Sequence, residues 1–122
     1  MDISERIAIA STNTSNRNCF GTALYLAGLL PQDQFLDLDF EGRKLGPYLE
    51  EDPLRSPRKG SVVLYWFLDT DLLVHMGVVT RLSPLRITHR FDTNGPLIVD
   101  DKPKKIIREY ESYPEYRQPK VF

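Results

Sequence analysis

The chain carries one cysteine, Cys19, and two histidines, His75 and His89. A thiol that attacks a carbonyl needs a base for its proton, and an imidazole serves best when a second group fixes its tautomer. One thiol and two imidazoles are the ingredients of such a nucleophile. The same three side chains could ligate zinc, but no paired cysteine and no His-x-x-x-His spacing accompanies them. A lone cysteine also packs well as a small, inert, buried residue, so its surroundings decide its role.

Those surroundings are a helix start. From Phe20 to Leu29 the sequence is apolar on nearly every side, as in a helix buried at the centre of a domain. Asn18 is suited to cap it, because its side-chain oxygen can accept from an orphan N–H of the first turn. Pro31 closes the segment by pushing the residue before it out of the helical region. Cys19 is therefore expected in the first turn, where the helix dipole lowers a thiol pKa.

The histidines fall in strand-like segments. Val62–Leu68 reads as a strand buried on both faces, followed by strands over Val74–Thr80 and Leu85–Asp92. A three-residue connection, Arg81–Ser83, sets Thr80 against Pro84 and His75 against His89, on one face of the sheet. A two-residue loop would instead send the two imidazoles to opposite faces. Gly77 leaves room for a helix N-terminus to approach. Asn94-Gly95 is a hairpin signal with positive φ expected at both positions, and Leu97–Val99 with Lys105–Tyr110 complete a meander. Residues 2–10 are undecided between helix and strand, Arg43–Glu51 is a candidate short helix, and Ser112–Phe122 is expected to drape over the surface. Helix first and antiparallel sheet after make an α+β class.

The 122 residues suit a single domain spanning 1–122. A net charge of −1 and a pI near 6.1 give no reason to expect nucleic acid or an anionic membrane as partner. One cysteine cannot form an intramolecular disulfide. The longest apolar run, Val62–Leu68, is too short to cross a bilayer. The N-terminus lacks the basic start and apolar core of a secretory signal, so a cytoplasmic location is expected, or export if a leader has been removed. Arg17 and Arg90 stand near the expected cleft and could pair with carboxylates of an acidic peptide. Oligomeric state leaves no trace in the sequence.

These motifs resemble the NlpC-type cysteine peptidases, the bacterial cell-wall endopeptidase branch of the papain-like superfamily. Asn18-Cys19-Phe20-Gly21-Thr22 is similar to the family's nucleophile context at a helix start. Gly60-Ser61-Val62-Val63-Leu64-Tyr65-Trp66 resembles its following strand, and His75-Met76-Gly77-Val78-Val79 its His-Val-Gly motif. His89 stands where the family's second histidine is expected. The resemblance covers roughly residues 15–92. It implies Cys19 as nucleophile, His75 as general base and then acid, and His89 as its orienting partner, with the Cys19 N–H helping to hold the oxyanion. It further implies hydrolysis of amide bonds in peptides or other small amide-containing substrates, typically murein stem peptides of peptidoglycan, with no metal or organic cofactor. Ile7 and Ala8 stand where many cell-wall members carry a pocket tyrosine, and Ser61 where the strand begins with an acid. Both departures bear on substrate and leave the triad intact. The superfamily also holds amidases, deamidases, acyltransferases and deubiquitinase-like enzymes; cysteine before histidine resembles the unpermuted branch, against the lecithin–retinol acyltransferases. The alternatives are an amidase or acyltransferase on a non-murein substrate, a catalytically silent peptide-binding domain of the same fold, and an interaction protein with a buried Cys19.

Overall fold

A computed structural model describes residues 1–120. Three helices surround one six-stranded antiparallel sheet, an α+β arrangement. Helix α1 is Ile3–Thr12, capped by the Asp2 carboxylate, which accepts from Glu5 N–H at 2.9 Å. Helix α2 is Cys19–Leu26, in which every residue but Phe20 is buried. It stops before Pro31, because Gly28 turns left-handed at φ 84°. Arg43–Leu45 makes a single 3₁₀ turn where a longer helix was expected.

The strands are β1 (Leu49–Pro53), β2 (Val62–Phe67), β3 (Leu73–Leu82), β4 (Leu85–Arg90), β5 (Leu97–Asp101) and β6 (Ser112–Pro119), with helix α3 (Pro103–Tyr110) between the last two. Their order across the sheet is β1-β6-β2-β3-β4-β5. The meander from β2 to β5 is as the alternation predicts. Two further expectations fail. Lys105–Tyr110 belongs to α3 rather than a strand, since Ile106 and Tyr110 at i and i+4 turn one stripe inward. The stretch from Ser112 does not drape; it inserts between β1 and β2, with Tyr65 set against Pro114. Two prolines conceal a strand there, because each removes a donor that a strand normally uses. Residues 121 and 122 of that expected segment lie outside the described residues.

The sheet has two apolar faces. Leu64, Met76 and Val78 pack under Ala23, Leu24 and Leu26 of α2, while Val63, Tyr65, Val79 and Ile87 pack under Ile106 of α3. Each fully buried leucine or isoleucine here contributes about 1.5–3 kcal/mol relative to exposure. Among the described residues no helix is long and apolar enough to cross a membrane.

Candidate active site

The nucleophile candidate is held by its cap. The Asn18 side-chain oxygen accepts from Gly21 N–H at 3.0 Å and Leu36 N–H at 3.1 Å, and its amide donates to the Leu36 carbonyl at 2.9 Å. Loop 34–36 thus lies across the first turn of α2, so close that a Cβ on Gly21 would overlap the Gln34 carbonyl. That contact explains the glycine two residues after the cysteine. Cys19 opens on a cleft of about 480 Å³ walled by Phe20, Phe40, Leu73, Val74, Asp92 and Thr93.

Its thiol is not acidified. Burial pushes the Cys19 pKa up to about 11, against hydrogen bonds from the main chain, foremost Met76 N–H, that lower it; the Asp92 carboxylate raises it further. The helix start therefore does not produce the low thiol pKa expected of it, because desolvation outweighs the dipole. The contact with Met76 places the sulfur beside the residue that follows His75.

The imidazoles share a face and bond to one another: His75 Nε2 and His89 Nδ1 are 2.9 Å apart, with the rings edge-on. They are not the directly opposed pair that a three-residue loop would make. The turn between β3 and β4 is the two-residue Ser83-Pro84, with Leu82 paired to Leu85. A β-bulge then leaves Thr80 as an extra residue between the pairs Val79–Ile87 and Arg81–Arg86. The bulge restores the parity that the even loop would have broken, and His75 meets His89 on the diagonal. Gly77 serves this crossing rather than the helix, since a Cβ there would press on Ile87 and His89 of β4.

A third partner was not anticipated. His89 Nε2 lies 2.9 Å from Asp101 Oδ2, and Lys102 N–H holds the other carboxylate oxygen at 2.9 Å. A second bulge, at Asp100 with φ 55°, brings Asp101 opposite Ile87 on the histidine face. The acidic pair at 100–101 was visible in the sequence, but its face depends on that bulge. Tyr110 was also missed: its ring stacks on His75 at 3.9 Å and 10°.

Burial drives the His75 pKa well below its ordinary value, with His89 adding to the effect. Burial lowers His89 as well, opposed by Asp101. Burial alone would raise the Asp101 carboxyl, but the bonds from His89 and Lys102 N–H carry it below the usual range. Two neutral imidazoles and one carboxylate fix the protons. Asp101 accepts, so His89 carries its proton on Nε2 and presents a bare Nδ1; His75 then donates from Nε2 and keeps a lone pair on Nδ1. That Nδ1 is buried and has no hydrogen-bond partner among the described residues, Cys19 included.

The arginines expected at the cleft are turned inward. Arg90 is 1% exposed and bonds Asp33, the Thr22 hydroxyl and the carbonyls of Ala10 and Gly95. Arg17 donates to the carbonyls of Asn94 and Gly95, while its main chain is bonded to Asn94. They fasten the 90–95 turn, in which Asp92 and Asn94 take positive φ. Gly95 does not; it is needed because a Cβ would strike the Phe91 carbonyl. Among the described residues no group of three or more His, Cys, Asp or Glu is placed to hold a metal ion. Comparison with protein-family models, with curated proteins and with solved structures finds no match to this chain.

Proposed function

We propose that the chain is a cysteine hydrolase of amide bonds, with an NlpC-type papain-like fold and Cys19, His75 and His89 as its triad, extended by Asp101. The observation that supports it most is the ordered line Asp101–His89–His75, which leaves one ring nitrogen of His75 with a free lone pair. Cys19 Sγ attacks the substrate carbonyl carbon as its proton passes to His75 Nδ1. The carbonyl oxygen becomes an oxyanion, held in part by the Cys19 N–H. The C–N bond then breaks, and the His75 imidazolium returns the proton to the departing amine. Water, deprotonated by His75, cleaves the thioester, giving a carboxylic acid and the free thiol. In the resting state both thiol and imidazole are neutral, so proton transfer accompanies attack rather than preceding it.

A second reading concerns the substrate. Asp92 is the one charged residue among those lining the cleft, and neither Arg17 nor Arg90 reaches it. A neutral or cationic amide suits that wall better than a murein stem peptide with its several carboxylates. The test is incubation with murein tripeptides and with uncharged and cationic acyl amides. Hydrolysis is expected with the latter two and is expected to vanish in Cys19→Ala. Hydrolysis that persists in Cys19→Ala overturns the nucleophile, and an inert wild type across all three sets favours a silent peptide-binding domain.

A further inference from the structure

We propose that Tyr110 is a positioning residue for His75, holding the base imidazole in its working tautomer and supporting the imidazolium as it forms. The inference rests on the hydrolase reading and extends it to the C-terminal helix. The Tyr110 and His75 rings are nearly parallel, 10° apart in plane and 3.9 Å between centroids. This is the closest ring contact in the cluster: Tyr65 lies at 5.5 Å and His89 at 4.9 Å.

Stacking does two things for this ring. It blocks rotation about the Cβ–Cγ bond, so Nε2 stays on His89 and Nδ1 stays free. It also sets an electron-rich π face against a ring that becomes cationic when it takes the thiol proton. That attraction is stronger for imidazolium than for neutral imidazole, so it favours the proton transfer and not the resting state. Tyr110 remains a neutral phenol throughout, because burial first, and then Asp92 and Cys19, hold its pKa far above the ordinary value. It therefore acts through its ring rather than as a counter-ion.

The same short segment grips the other histidine. Asp101 ends β5 and accepts the hydrogen bond from His89 Nε2; α3 begins two residues later and ends at Tyr110. Residues 101–110 thus form one clamp, with a carboxylate on one ring and an aromatic face on the other. Ile106, fully buried against the sheet, seats the helix between them.

The test uses Tyr110→Phe and Tyr110→Leu, read by the pH profile of Cys19 alkylation with iodoacetamide and by ¹⁵N shifts of the His75 ring. In Tyr110→Leu the alkylation rate near neutral pH is expected to fall about tenfold, and His75 to become a mixture of tautomers. In Tyr110→Phe both readouts are expected to stay close to wild type. Wild-type rate and tautomer in Tyr110→Leu overturn the proposal, as does a lower rate with an unchanged His75 tautomer. If Tyr110→Leu fails to fold, Tyr110→Met and the Phe variant carry the same comparison. A wild-type rate equal to that of His75→Ala overturns the hydrolase reading itself, while the ¹⁵N readout still judges the clamp.

Discussion

At the scale of single residues, the surroundings of Cys19, the proposed nucleophile, oppose a charge on its sulfur. Burial raises the Cys19 pKa to about 11 and holds both histidines neutral, and the Asp92 carboxylate opposes the thiolate too. Asp92→Asn is therefore expected to lower the thiol pKa and speed alkylation, measured as the rate–pH profile; a slower or unchanged rate would place Asp92 outside the field of the sulfur. Asp101→Asn presents His89 Nε2 with an amide that can donate as well as accept, which loosens the tautomer order. Turnover of an accepted amide is expected to drop by about 10²-fold or more, with KM little changed. An Asp101→Asn protein as active as wild type would reduce the site to Cys19 and the two imidazoles.

At the scale of elements, two bulges decide which side chains meet. Thr80 and Asp100 are the extra residues, and they are tied together: Thr80 Oγ1 lies 2.7 Å from Asp100 Oδ1 and 3.0 Å from Thr88 Oγ1, which in turn accepts from Asp100 N–H at 3.1 Å. One hydroxyl, Thr88, therefore braces both. Thr88→Val keeps the shape and leaves those groups short of a buried partner. A loss of about 1–3 kcal/mol in denaturant unfolding is expected, and a change under 0.5 kcal/mol would show that the bulges hold without it. Helix α2 was legible from Asn18 and its apolar run, and the strands from their β-branched and aromatic runs. The bulges were not, because no residue at 80 or 100 announces a one-residue slip. Asp101 and Tyr110 were lost with them, since α3 reads as a strand until its partner face is known.

At the scale of the whole molecule, the antiparallel sheet and its leading helix were readable because burial patterns are local. The place of β6 was not, because insertion between β1 and β2 is a long-range choice that Pro114 and Pro119 argue against. The inward turn of Arg17 and Arg90 was hidden for a similar reason: their partners Asp33, Asn94 and Gly95 come from separate loops. Arg90→Ala strands the Asp33 carboxylate in a buried site, and a loss of about 3–5 kcal/mol is expected in chemical denaturation. The buried histidines make stability depend on pH. Unfolded, each binds a proton near its ordinary value of 6.5; folded, both are depressed. Stability from them is full above that value and is lost as pH falls below it, by up to about 1.4 kcal/mol per pH unit per histidine. Denaturation midpoints that rise on mild acidification would contradict neutral burial.

The most direct test of the central claim is the alkylation rate of Cys19 near neutral pH in wild type and in His75→Ala. If His75 Nδ1 takes the thiol proton, removing the ring is expected to slow alkylation by about 10²-fold or more. Equal rates in the two proteins would contradict the account, because the sulfur would then be reacting without help from His75.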